Sequence, residues 1–128
     1  MEITHNIVGW FEIPVTDMER AIRFYEAVFE VKLTRQQLGG EDMAFFPWVE
    51  RSFGAGGGLV YHPEHYTPSA DGVLVYFTAF SGDVSVELGR VEQAGGKVLS
   101  PKKLIAPEIG YMALFLDSEG NRVALHAH

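Results

Sequence analysis

Among the side chains of this 128-residue chain that can move a proton, three are candidates to act together: a carboxylate at Glu12, a phenol at Tyr76 and an imidazole at His126. Each lies in a stretch that alternates in the manner of a β-strand, "IVGWFEIPV", "VLVYFTA" and "NRVALHAH". Burial raises the pKa of a carboxyl group, and a neighbouring imidazole can share its proton. Such a trio suits general acid–base work on a small ligand. A plainer reading stands beside that one: Glu12 satisfies a buried hydrogen-bonding group, and His126, close to the C-terminus, points into solvent.

The strands that carry these groups have unequal faces. In the first, Phe11, Ile13 and Val15 form a purely apolar side that predicts a covering helix. Val8, Trp10, Glu12 and Pro14 form a mixed side, which suits the lining of a cavity. A helix is expected next, with Thr16 and Glu19 as a capping box and Asp17 against the positive end of the helix dipole. Its apolar stripe is Met18, Ala21, Ile22, Tyr25, Val28 and Phe29. Strands are then predicted over Val31–Gln37, Met43–Trp48 and Gly58–His62.

After "HPEHYTPSADG" the order restarts. In "VLVYFTA", Val73, Val75 and Phe77 share one face, and Leu74, Tyr76 and Thr78 the other. A helix striped by Val84, Leu88, Val91 and Ala94 stops at Gly95-Gly96. Strands follow at Lys97–Leu99, at Tyr111–Asp117 and, past a turn at Gly120-Asn121, up to His126. The halves, residues 1–64 and 70–128, both read βαβββ. The expected fold is therefore α+β: one domain of two tandem modules, helices outside and a curved mixed sheet around a cup.

Composition narrows the partners. The net charge of −7 repels phosphate backbones and anionic lipid, so neither nucleic acid nor a membrane surface is expected. No apolar run approaches spanning length and no signal peptide is visible at the start, so the cytoplasm is the expected compartment. The chain has no cysteine, which removes disulfides, zinc–thiolate sites and thiol nucleophiles together. "GAGGG" at Gly54–Gly58 lacks the Gly-Lys-Ser/Thr ending of a phosphate loop and reads as a turn or a closely approached strand. His62 and His65 sit in a proline-flanked loop, and "SPKK" at Ser100–Lys103 reads as a solvated edge.

"FEIPVTDMERAIRFYEAVF" in the first half and "GYMALFLDSEGNRVALH" in the second resemble the vicinal oxygen chelate superfamily, which includes glyoxalases, bleomycin-binding proteins and extradiol dioxygenases. The resemblance implies a cup in which metal-dependent members hold a divalent ion with four side chains. One lies seven residues before the helix-opening Asp, which is Trp10 here. Its counterpart in the second half is aligned with Leu74. The last lies seven residues after the Asp of the D-x-x-G-N turn, which is Ala124. The fourth falls within Gly58–Tyr61.

Indole, isobutyl and methyl groups give no lone pair to a hard cation, so no metal and no other cofactor is expected. Glu12, Tyr76 and His126 each lie two residues beyond one of those places and would share the cup, with Trp10, Phe46, Trp48, Leu74 and Ala124 as ligand-binding surface. The expected function is capture of a small organic molecule, with acid–base turnover through those three groups. Two alternatives remain open: a divalent-metal-dependent lyase, isomerase or dioxygenase, including a shifted metal site on Glu12 and His126, and a non-catalytic accessory module. The resemblance also implies a homodimer.

Overall fold

Alternation in the first strand has the consequence expected of it. Ile13 and Val15 are buried in the core and Phe11 packs against it, whereas Trp10 and Glu12 are exposed on the opposite face. The structure, a computed structural model, describes residues 2–128. β1 (Trp10–Pro14), α1 (Met18–Phe29), β2 (Thr34–Leu38), β3 (Glu41–Phe45) and β4 (Gly56–Tyr61) form the first module. The order recurs as β5 (Tyr76–Thr78), α2 (Val84–Ala94), β6 (Lys97–Ala106), β7 (Gly110–Leu116) and β8 (Arg122–Ala127). Each module makes a four-stranded sheet, ordered β1-β4-β3-β2 and β5-β8-β7-β6. The outer pairs β1–β4 and β5–β8 are parallel, and the remaining pairs are antiparallel. This is the α+β pair of βαβββ modules read from the sequence.

Several boundaries differ for physical reasons. β3 stops at Phe45, just short of Pro47, which has no N–H to give a ladder. β6 runs on from Leu99 to Ala106 through Pro101, because an edge strand with register shifts on either side tolerates a proline. β5 is only three residues long, and Val73 and Leu74 lie outside it.

The capping box is replaced. Asp17, not Thr16, caps α1, its carboxylate accepting from the Arg20 N–H at 3.1 Å. Glu119, from the β7–β8 turn of the other module, accepts from the N–H groups of Thr16 and Asp17, each at 2.9 Å. It also accepts from the Arg20 guanidinium at 2.8 Å. Asn121 of the same turn donates its side-chain N–H to the Pro14 carbonyl at 2.8 Å, and buried Asp117 accepts from the Tyr25 hydroxyl at 2.6 Å. One module's hairpin thus closes the helix entry of the other.

α1 also buries Phe24, which the expected stripe omits, and leaves Ile22 only half-buried. The cause is a second packing partner. Phe24 meets Phe115 of β7 at 5.9 Å, and Arg90 of α2 donates to the Val28 carbonyl at 2.8 Å. A helix wedged between its own sheet and the other module needs a wider apolar arc.

Candidate functional site

β1 and β5 are each the unpaired edge of a sheet, and the rings of Phe11 and Phe77 meet between them at 5.8 Å. Above this contact opens a cleft of about 1240 Å³. Its walls are β1, the start of β4, β5 and the segments that precede them. Most of the lining is aromatic or aliphatic, and Glu12 and Arg122 supply the charge.

The first module's cleft wall depends on a run of glycines. Parallel register sets Trp10 beside Gly56 and Glu12 beside Gly58. A Cβ at Gly56 would run into the Trp48 ring and come within 3.4 Å of the Trp10 ring. The two indoles therefore flank one glycine, and Phe45 stands edge-on to Trp10 at 5.7 Å. "GAGGG" is accordingly a closely approached strand over Gly56–Gly58.

Glu12 is the polar centre of this wall. One carboxylate oxygen accepts from the Tyr66 hydroxyl at 2.7 Å and the other from the Trp10 indole N–H at 3.3 Å. The hydrogen bond to Glu12, followed by partial burial, pushes the Tyr66 phenol up to about 12, so it stays protonated as a donor. Tyr66 belongs to the loop "HPEHYTPS", 54 residues from Glu12, and no local pattern pairs the two.

The other expected catalytic groups do not join Glu12 in a hydrogen-bonded set. Tyr76 is exposed in the cleft wall, its hydroxyl 3.9 Å from the Met112 sulfur. His126 lies outside the cleft lining, with Nε2 2.7 Å from the Ile109 carbonyl oxygen. Among the expected ligand-binding residues, Trp10, Trp48 and Leu74 line the cleft. Phe46 belongs mainly to the aromatic cluster beneath it, with Phe11, Tyr25 and Phe77, and reaches the cleft from that side. Ala124 is fully buried and does not line the cleft.

The alignment of Leu74 with Trp10 needs correction. Asp83 caps α2 as Asp17 caps α1, and counting seven back from each gives Tyr76 and Trp10. The "FSGD" link brings the helix in later than the strand pattern implies, so the proper counterpart of Trp10 is Tyr76, not Leu74. By the same count Thr78, not Tyr76, answers to Glu12. Register then pairs Tyr76 with Ala124 as it pairs Trp10 with Gly56. The same register moves the fourth place from Gly58–Tyr61 to Gly56, so the four places that would hold an ion, Trp10, Gly56, Tyr76 and Ala124, carry an indole, a hydrogen, a phenol and a methyl group. One phenol oxygen cannot hold a divalent cation, so these residues do not fit a metal. Among the described residues, no three His, Asp or Glu side chains gather as a metal site elsewhere.

Comparison with known proteins agrees with this architecture. Residues 7–125 match the family model of the glyoxalase/bleomycin resistance protein/dioxygenase superfamily. A glyoxalase/bleomycin resistance protein from Albidiferax ferrireducens superposes with a TM-score of 0.70 at 17% identity, covering 96% of this chain and 99% of that one. A glyoxalase-related enzyme from Fulvimarina pelagi gives 0.68 at 16% identity, covering 94% and 87%. Glyoxalase I from Zea mays gives 0.67 at 22% identity, covering 92% of this chain but only 44% of that protein, so the chain spans under half of its length. No curated protein matches. The matched span takes in nearly every element of both modules, and on that ground the chain belongs to the glyoxalase/bleomycin resistance protein/dioxygenase superfamily.

Proposed function

We propose that the protein binds a small, partly apolar organic molecule in the cleft between its modules, and does so without the divalent ion used by metal-dependent relatives. The observation that carries this reading is the cleft wall in which Trp10 and Trp48 flank Gly56 and Trp10 donates to the carboxylate of Glu12. A pocket of largely apolar walls with a few placed polar groups is the usual form of a small-molecule site. Glu12 can accept a hydrogen bond or a proton from such a ligand, while Tyr66, whose hydroxyl donates to it at 2.7 Å, holds the carboxylate in place. Tyr76 contributes from the opposite wall.

A homodimer belongs to the same proposal, since Ile7, Phe53 and Val73 stand more than nine-tenths exposed at the cleft margin. So does a cytoplasmic location, which the lack of cysteine suits. No helix among the described residues is long and apolar enough to cross a membrane.

The test has two arms. Metal analysis of protein purified without chelator, then titration with divalent ions, is expected to show no stoichiometric tight binding. Finding such binding would overturn the metal-free reading. A thermal-shift screen of small organic compounds is expected to give stabilising ligands whose effect is lost in Trp10→Ala and Glu12→Ala. Shifts that survive both substitutions would move the site away from this cleft.

A further inference from the structure

Six of the 17 carboxylates of this acidic protein are paired with a cation. Arg20 pairs with Glu119, Lys32 with Glu26, Arg35 with Asp42 and Glu19, Arg90 with Glu30, and Lys102 with Asp83. Among the described residues, Glu12 faces the cleft with no cation paired to it: its two hydrogen bonds come from neutral donors, the Tyr66 hydroxyl and the Trp10 indole. The one guanidinium in the cleft wall, Arg122, sits on β8 of the other module and donates to the Ala70 carbonyl at 3.3 Å. Glu12 is solvent-exposed, so an incoming ligand can reach it.

What surrounds that charge is informative. Trp10 and Trp48 flank Gly56, two register positions from the Glu12–Gly58 pair, each about half-exposed at 45% and 60%, and Phe45 stands against Trp10. Indole faces attract cations through the ring quadrupole, and more strongly once water is displaced. An anion would meet a carboxylate here, and a neutral ligand would leave that carboxylate uncompensated on closure. A cation gains from both the ring faces and the carboxylate. Resting on the cleft-binding reading above, we propose that the natural ligand is an organic cation, an ammonium or amidinium group on an apolar or aromatic body, with its charge seated on Glu12 between Trp10 and Trp48.

The chain's two tryptophans are both at this site, so intrinsic fluorescence reports binding directly. The probes are phenyltrimethylammonium and its neutral isostere tert-butylbenzene, which share shape and differ in charge. The cation is expected to bind at least roughly tenfold more tightly, with an advantage that shrinks as salt rises. Glu12→Gln, which keeps the size of an exposed side chain, is expected to erase the difference while its melting temperature stays that of the native protein. Equal binding of the two probes, or a cation preference that persists in Glu12→Gln, overturns the cation inference and leaves the cleft reading in place. Failure of both probes to alter the fluorescence also overturns it, and the thermal-shift screen then decides separately whether the cleft binds anything.

Discussion

At the scale of single residues, the site depends on what is missing from β4. Gly56 and Gly58 are two positions apart on one face, yet their substitution by alanine has different consequences. At Gly56 the added methyl meets the ring of Trp48, a side chain 60% exposed and free to swing away. At Gly58 it comes within 2.8 Å of the Ala44 carbonyl oxygen, which is fixed in the β3–β4 ladder. Gly56→Ala is therefore expected to alter tryptophan fluorescence and weaken ligand binding with little change in melting temperature. Gly58→Ala should cost about 1–3 kcal/mol in chemical denaturation, the usual penalty for overpacking a rigid contact. Equal destabilisation by the two would mean that Trp48 is part of the rigid framework. The site was only partly legible in the sequence at this scale. Glu12 and Trp10 declare themselves through a mixed strand face, but Tyr66 reaches Glu12 from a loop that carries no period, and Phe45 becomes a neighbour of Trp10 only through sheet register. Such pairings belong to the tertiary fold.

At the scale of elements, the β7–β8 turn does more than reverse the chain. Burial alone would raise the Glu119 carboxyl, but hydrogen bonds from Arg20, the Asp17 N–H, Ser118 and the Thr16 N–H outweigh it and hold the group at about 2. A depressed carboxyl contributes stability that is complete above its unfolded pKa, near 4.5, and is lost as pH falls toward the folded value. Glu119→Gln should cost roughly 2–3 kcal/mol at neutral pH, because charge-assisted hydrogen bonds to a helix start and to Arg20 are weakened together. Denaturant titrations at pH 7 and pH 3 check the assignment: the native protein should lose stability between them and the variant should lose distinctly less. Parallel losses would place the acid-sensitive group elsewhere. The two helices and eight strands were legible because strand and helix periods are strong and the order repeats. The extent of β6 and the identity of the α1 cap were not. Pro101 reads locally as a break, and nothing near Thr16 announces that a glutamate about a hundred residues away completes the helix entry.

For the molecule as a whole, the distribution of exposed apolar side chains is the feature that remains unbalanced. Ile7, Phe53 and Val73 are 98%, 99% and 91% exposed, and Phe80 is 71% exposed. All four border the cleft, so they form a margin around the site and are not scattered singly over the surface. Apolar surface gathered in this way marks an interaction site. Because β1 and β5 are also the free edges of their sheets, the same region combines unpaired backbone with uncovered side chains. A second copy seated there would shield both and turn an open cleft into an enclosed one. Sedimentation equilibrium should therefore give a mass near twice that of the chain, and Phe53→Asp combined with Val73→Asp should shift the protein toward monomer. Since neither residue belongs to the core, the paired variant keeps the fold, which circular dichroism verifies. If the native chain sediments as a monomer at its highest soluble concentration, the apolar margin serves the ligand alone. The same double variant should then weaken probe binding without any change in mass, which separates a rim that recruits a partner from one that only lines an entrance.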